Sequence, residues 1–105
     1  MSHAALVTGA SSGIGAASAE LLAREGWRVF GTSRRPPAAA QAGLEWIEMD
    51  VRDEDSVRAA VTLASRRAGH LDALVCSAGF GVFGSIEEVP LATAREQFET
   101  NVFGV

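Results

Sequence analysis

The chain has 105 residues, 48% of them apolar, and a formal net charge of −4. That suffices for one small domain with its own core, read as a single domain over residues 1–105. The acidic balance argues against nucleic acid, whose phosphates need a basic face, and no apolar run approaches the roughly 20 residues of a membrane span.

Ala4 to Thr8 is a short apolar run ending at Gly9 and reads as a buried strand. From Ile14 to Glu25 the spacing of Ile14, Ala17, Leu21 and Leu22 predicts a helix, with Gly26 placed to stop it. Trp27 to Ser33 reads as a second strand. The paired prolines of "RRPPAAAQAG" then exclude helix and central strand, so a loop follows. Leu44 to Met49 alternates as a third strand does. Asp53 to Ala68 is the clearest helix: Asp53 or Asp55 can cap it, Val57, Ala60, Val61, Ala64 and Ala68 share a face, and Gly69 ends it. Leu71 to Cys76 reads as a fourth strand, in which Cys76 is expected to be a small buried hydrophobe. Ser77 to Pro90 is glycine-rich and irregular. Leu91 onward is helical again, with Leu91, Ala94, Phe98, Val102 and Val105 on one face; the chain is expected to be cut off inside this element.

Apolar strands alternating with helices indicate an α/β fold, a Rossmann-type parallel sheet with helices on both faces. Right-handed crossovers favour the strand order 3-2-1-4. The turn after the first strand then lies at the carboxyl edge, where such sheets bind ligands. Its stretch "LVTGASSGIG" offers bare backbone at Gly9, Gly13 and Gly15 beside a helix N-terminus, the arrangement that accepts a pyrophosphate. Thr8, Ser11 and Ser12 can donate from hydroxyls or brace the loop. A plain tight turn with a serine cap is the bland alternative.

These residues carry a specific resemblance. "TGASSGIG" resembles the cofactor fingerprint Thr-Gly-x-x-x-Gly-x-Gly of the short-chain dehydrogenase/reductase family, and the likeness continues in register along the chain. It implies a dinucleotide contact for Thr8, Gly9, Ser11, Ser12, Gly13, Ile14 and Gly15. It implies that Asp50 and Val51 touch the adenine ring. It sets "CSAG", with Ser77, Ala78 and Gly79, where the family has Asn-Asn-Ala-Gly. It makes Asn101 of "NVFG" the one catalytic-site residue present, a helix-facing polar residue satisfied by backbone being the alternative. The segments "FGSIEEVP" and "QFETNVFGV" resemble the hydroxysteroid-dehydrogenase-like branch. The end of the second strand, "TSRRP", has no acid to hold a ribose 2′-hydroxyl but offers Arg34 and Arg35 for a 2′-phosphate, so NADP is expected over NAD. Two solvated loop arginines are the alternative, and Arg34 alone can point inward.

The family's reaction moves hydride between nicotinamide and a small carbonyl or alcohol substrate, with a tyrosine exchanging the proton and a lysine lowering its pKa. This chain has no tyrosine, and its nine basic residues are all arginine. The missing lysine also excludes a Walker-type phosphate loop. Alone, the chain is expected to be inactive. His3 and His70 read as solvated surface residues, and no metal-ligand spacing links them to Cys76. Glu87 and Glu88 read as a solvated pair. The N-terminus lacks the features of a secretion signal, so a soluble, cytoplasmic protein is expected. A noncatalytic nucleotide-binding module, or a module that self-associates through a bare strand edge or the last helix as a homo-oligomer, are the alternatives.

Overall fold

The computed structural model describes residues 3–37 and 43–105. Four strands, β1 (Ala4–Thr8), β2 (Arg28–Ser33), β3 (Leu44–Glu48) and β4 (Ala73–Cys76), form one parallel sheet in the order β3-β2-β1-β4. Helix α1 (Gly13–Arg24) joins β1 to β2, and α2 (Glu54–Ala68) joins β3 to β4. Helix α3 (Leu91–Phe98) runs on into a π-helical turn, Glu99–Phe103. The loop expected between β2 and β3 lies partly, at 38–42, outside the described residues. The expected order 3-2-1-4 is thus the observed one.

The pleat of the central strands divides the core in two. Leu6 of β1 and Phe30 of β2 face α2 and pack with Ile47, Met49, Ala60 and Ala64. Their neighbours Val7 and Val29 face the other way and pack with Ala10, Ala19 and Leu44 on the α1 side. Every residue of β1 is buried. Burying a side chain such as Phe30 or Leu6 is worth about 1.5–3 kcal/mol, so the two-sided apolar run of β1 anchors the fold.

Helix α2 is as expected: the Asp53 carboxylate accepts from the N–H groups of Asp55 (3.0 Å) and Ser56 (3.3 Å), and Gly69 closes its far end. Helix α1 packs on a face other than the one carrying its large apolar residues. Ile14, Ala17 and Leu21 are exposed, while Gly15 and Ala19 are buried and Leu22 and Ala23 half-buried. This stripe of smaller residues lets the helix approach the sheet closely, and the larger Ile14 and Leu21 are turned outward. Strand β4 is shorter than expected and occupies a sheet edge. Its Ala73 and Val75 are half-buried, whereas Leu74 and Cys76 are exposed. Cys76 is therefore not a buried hydrophobe, because α2 covers β1 and stops short of the edge strand. No residue of α3 is buried, as expected from its unpartnered apolar stripe. The π turn, Glu99–Phe103, interrupts the regular α-helical spacing that the stripe assumed.

Candidate functional site

The ends of all four strands meet at one cavity of about 230 Å³ on the carboxyl edge of the sheet. From the β1 turn come Gly9, Ser11 and Ser12. The end of β2 contributes Thr32, Ser33 and Arg34. Met49, Asp50, Val51 and Arg52 follow β3, Ala78 to Phe80 follow β4, and Thr100 reaches in from the π turn. Of the residues singled out in the sequence, Gly9, Ser11, Ser12, Arg34, Asp50, Val51, Ala78 and Gly79 line this space. Thr8, Gly13, Ile14, Gly15, Arg35, Ser77 and Asn101 are not among its walls, and several of these shape it from behind. Arg52 and Phe80 were missed; the polar "VRD" turn after β3 held a signal for Arg52.

Glycine is required where the loop is pressed from two sides. At Gly9 (φ +62°) a Cβ would sit 2.7 Å from the Ala78 nitrogen and Cα. At Gly15 a Cβ would overlap the Gly9 carbonyl. Thr8 is a brace: its Oγ1 accepts from the N–H groups of Ser77 (3.0 Å) and Ala78 (3.2 Å), tying the end of β1 to the segment after β4. Ser12 precedes α1 without capping it, and no acid occupies the first turn. Helix α2, capped by Asp53, stands in contrast. The first N–H groups of a helix have no intrahelical partner, and at α1 they are left without a side-chain cap beside the cavity.

The electrostatics of the rim centre on Asp50. Arg52 hydrogen-bonds its carboxylate and holds it below the usual carboxylate range; partial burial opposes this, and the more distant Arg34 charge assists. Asp50 therefore stays charged throughout the neutral and mildly acidic range.

A family model described as short chain dehydrogenase matches residues 3–105. The chain belongs to the short-chain dehydrogenase family. It is 36% identical over 104 residues to a probable short-chain type dehydrogenase/reductase, VdlC, of Helicobacter pylori, covering 96% of this chain and 38% of that one. It is 41% identical over 103 residues to a 3-ketodihydrosphingosine reductase of Bacteroides thetaiotaomicron, covering 95% and 37%. Among solved structures, the ligand-free aldohexose dehydrogenase of Thermoplasma acidophilum superposes with a TM-score of 0.90 at 35% identity, over 98% of this chain and 40% of that one. A variant of actinorhodin polyketide ketoreductase solved with NADPH superposes with a TM-score of 0.84 at 32% identity, over 98% and 43%. The chain thus spans about two fifths of the length of these family members.

Asn101 has a visible structural task. Asn101 Oδ1 accepts from the Phe80 N–H at 3.0 Å, and Asn101 Nδ2 donates to the Phe80 carbonyl at 2.7 Å. The side chain acts as a short piece of strand and pins the segment after β4 to the π turn. Asn101→Ala removes both bonds and is expected to destabilise the chain by about 1–2 kcal/mol. Hydrogen exchange at the Phe80 amide should quicken while amides of β1 keep their protection; an unchanged Phe80 rate would refute the role.

The histidines lie at the opposite edge. Asp72 Oδ2 accepts from the Ala4 N–H at 2.8 Å and pairs with His70 Nε2 at 3.0 Å and His3 Nδ1 at 3.7 Å. They are exposed as expected, but they are partnered by Asp72 and not merely solvated. The Ala4 N–H, with help from His70 and His3, holds Asp72 below the usual carboxylate range. Glu87 and Glu88 are exposed. Among the described residues no His, Cys, Asp or Glu cluster could hold a metal, and no helix is long and apolar enough to cross a membrane.

Proposed function

We propose that the chain binds NADP(H) in the carboxyl-edge cavity and forms the dinucleotide-binding part of an oxidoreductase acting on a carbonyl or alcohol substrate. The observation that carries this reading is the uncapped N-terminus of α1, which opens beside Gly9 and Ser12 onto a cavity that also holds Arg34 and Asp50. A pyrophosphate fits N–H donors that no side chain screens, and a Cβ at Gly9 or Gly15 would collide with the loop's own surroundings. The Ser11 and Ser12 hydroxyls add donors. The Arg34 guanidinium matches a 2′-phosphate, with no acid beside it at the end of β2 to prefer a free 2′-hydroxyl. Asp50 offers an acceptor to an adenine amino group. The NADPH-bound ketoreductase of the same fold favours the same choice.

When bound, the nicotinamide supplies or accepts the hydride. The chain's own residues hold and orient the dinucleotide, and Asn101 fixes the wall of the cavity beyond β4. With no tyrosine and no lysine, these 105 residues lack the proton donor that the family reaction uses, so binding without turnover is expected of them. Calorimetric titration with NADPH and NADH, beside an assay of ketone-dependent NADPH oxidation, tests this. Saturable NADPH binding, weaker NADH binding and no oxidation are expected. Absence of binding at millimolar NADPH overturns the cofactor reading, and turnover by the chain overturns the division of labour.

A further inference from the structure

We propose that Arg52 is a positioning residue for the adenine end of the site: it locks the Asp50 carboxylate so that one oxygen alone, Oδ2, is left to read an aminopurine. The proposal rests on the dinucleotide reading above. Arg52 donates to Asp50 in three places. Its backbone N–H and its Nε both reach Oδ1 at 3.0 Å, and its Nη2 reaches Oδ2 at 2.9 Å. Oδ1 thus has two donors and its two lone pairs are filled, whereas Oδ2 has one donor and keeps a lone pair.

The Asp50 backbone is fixed as well. Its N–H donates to Ser56 Oγ at 3.0 Å, and its carbonyl accepts from the Asp53 N–H at 3.0 Å. Main chain and carboxylate are both tied, so the acceptor is already aimed before a ligand arrives. A ligand that donates one N–H to it orders no protein side chain on binding. Besides Asp50, the carboxylates of Glu96 on α3 and Glu99 in the π turn favour the charge of Arg52. Asp50 and Arg52 both line the cavity, with a third of each side chain exposed, so the lock stands at the ligand's surface.

The test compares NADPH with its hypoxanthine analogue, which lacks the exocyclic amine, on the 105-residue chain, on Arg52→Ala and on Arg52→Lys. A hydrogen bond to a charged acceptor predicts that the wild-type chain prefers NADPH by about tenfold. In Arg52→Ala that preference is expected to fall below about threefold, through weaker NADPH binding with little change for the analogue. Arg52→Lys keeps the charge but cannot span both oxygens, and is expected to fall between; it carries the test should the alanine variant not fold. A role confined to stability would weaken both ligands equally. Equal weakening, an unchanged preference or a sharper one overturns the proposal. Failure of the wild-type chain to bind either ligand overturns the dinucleotide reading itself, and the proposal with it.

Discussion

Gly15→Ala is expected to cost the chain about 2–4 kcal/mol and to abolish NADPH binding. The added methyl would overlap the Gly9 carbonyl, and the Gly9 backbone has no room to retreat, since it lies against Ala78. Helix, loop and the strand beyond are stacked backbone on backbone, so no side-chain rotation relieves the strain. Gly9→Ala adds a left-handed φ of +62° to a contact of 2.7 Å and should cost at least as much. Gly13→Ala is the control. Its φ of +57° is equally unfavourable, but the space around it is open, so about 1 kcal/mol is expected. Urea unfolding followed by circular dichroism gives the three values. A small domain has only about 5–15 kcal/mol to lose, which makes the difference readable. If Gly15→Ala and Gly13→Ala prove equal, close approach is not what fixes the loop.

The second large effect concerns Arg34. Arg34→Ala is expected to reduce the preference for NADPH over NADH by about tenfold or more, because a charged donor to the 2′-phosphate is lost. Arg34→Glu should reverse the preference. Arg35 is the internal comparison. It is exposed and absent from the cavity wall, and its backbone N–H is tied to Ser33 Oγ at 3.2 Å. Arg35→Ala should leave the ratio within about twofold. Paired titrations of each variant decide the matter; a larger effect at Arg35 would mean that the wrong guanidinium has been assigned to the phosphate.

The sheet was readable because β1 and β2 are apolar on both faces, which only a doubly covered parallel strand tolerates, and because crossover handedness then leaves one order. The cavity was readable because strand ends converge by topology, which put Gly9, Arg34, Asp50 and Gly79 in one place. The misread features depend mostly on distances that no residue pattern contains. The spacing of Ile14 and Leu21 marked α1 as a helix but not its packed face, which the close approach of Gly15 to Gly9 decides. Cys76 looked internal because it closes an apolar run, although the expected order 3-2-1-4 already put its strand at an edge. The π turn at Glu99–Phe103 has no composition signal and depends on the backbone alone. Arg52 is an ordinary charged residue until its three bonds to Asp50 are seen.

The Asn101–Phe80 pairing also governs how freely the stretch between them can vary. It fixes both ends of that stretch, while Phe83 and Ile86 within it are 96% exposed and bind nothing down. Closing a loop becomes harder only with the logarithm of its length, so doubling this one costs only about 0.6 kcal/mol. Insertions are tolerable in its irregular part, residues 81–89, as long as Asn101 keeps its two bonds. That irregular stretch, outside the cavity wall, is therefore where length and composition can change at least risk to the sheet beneath it.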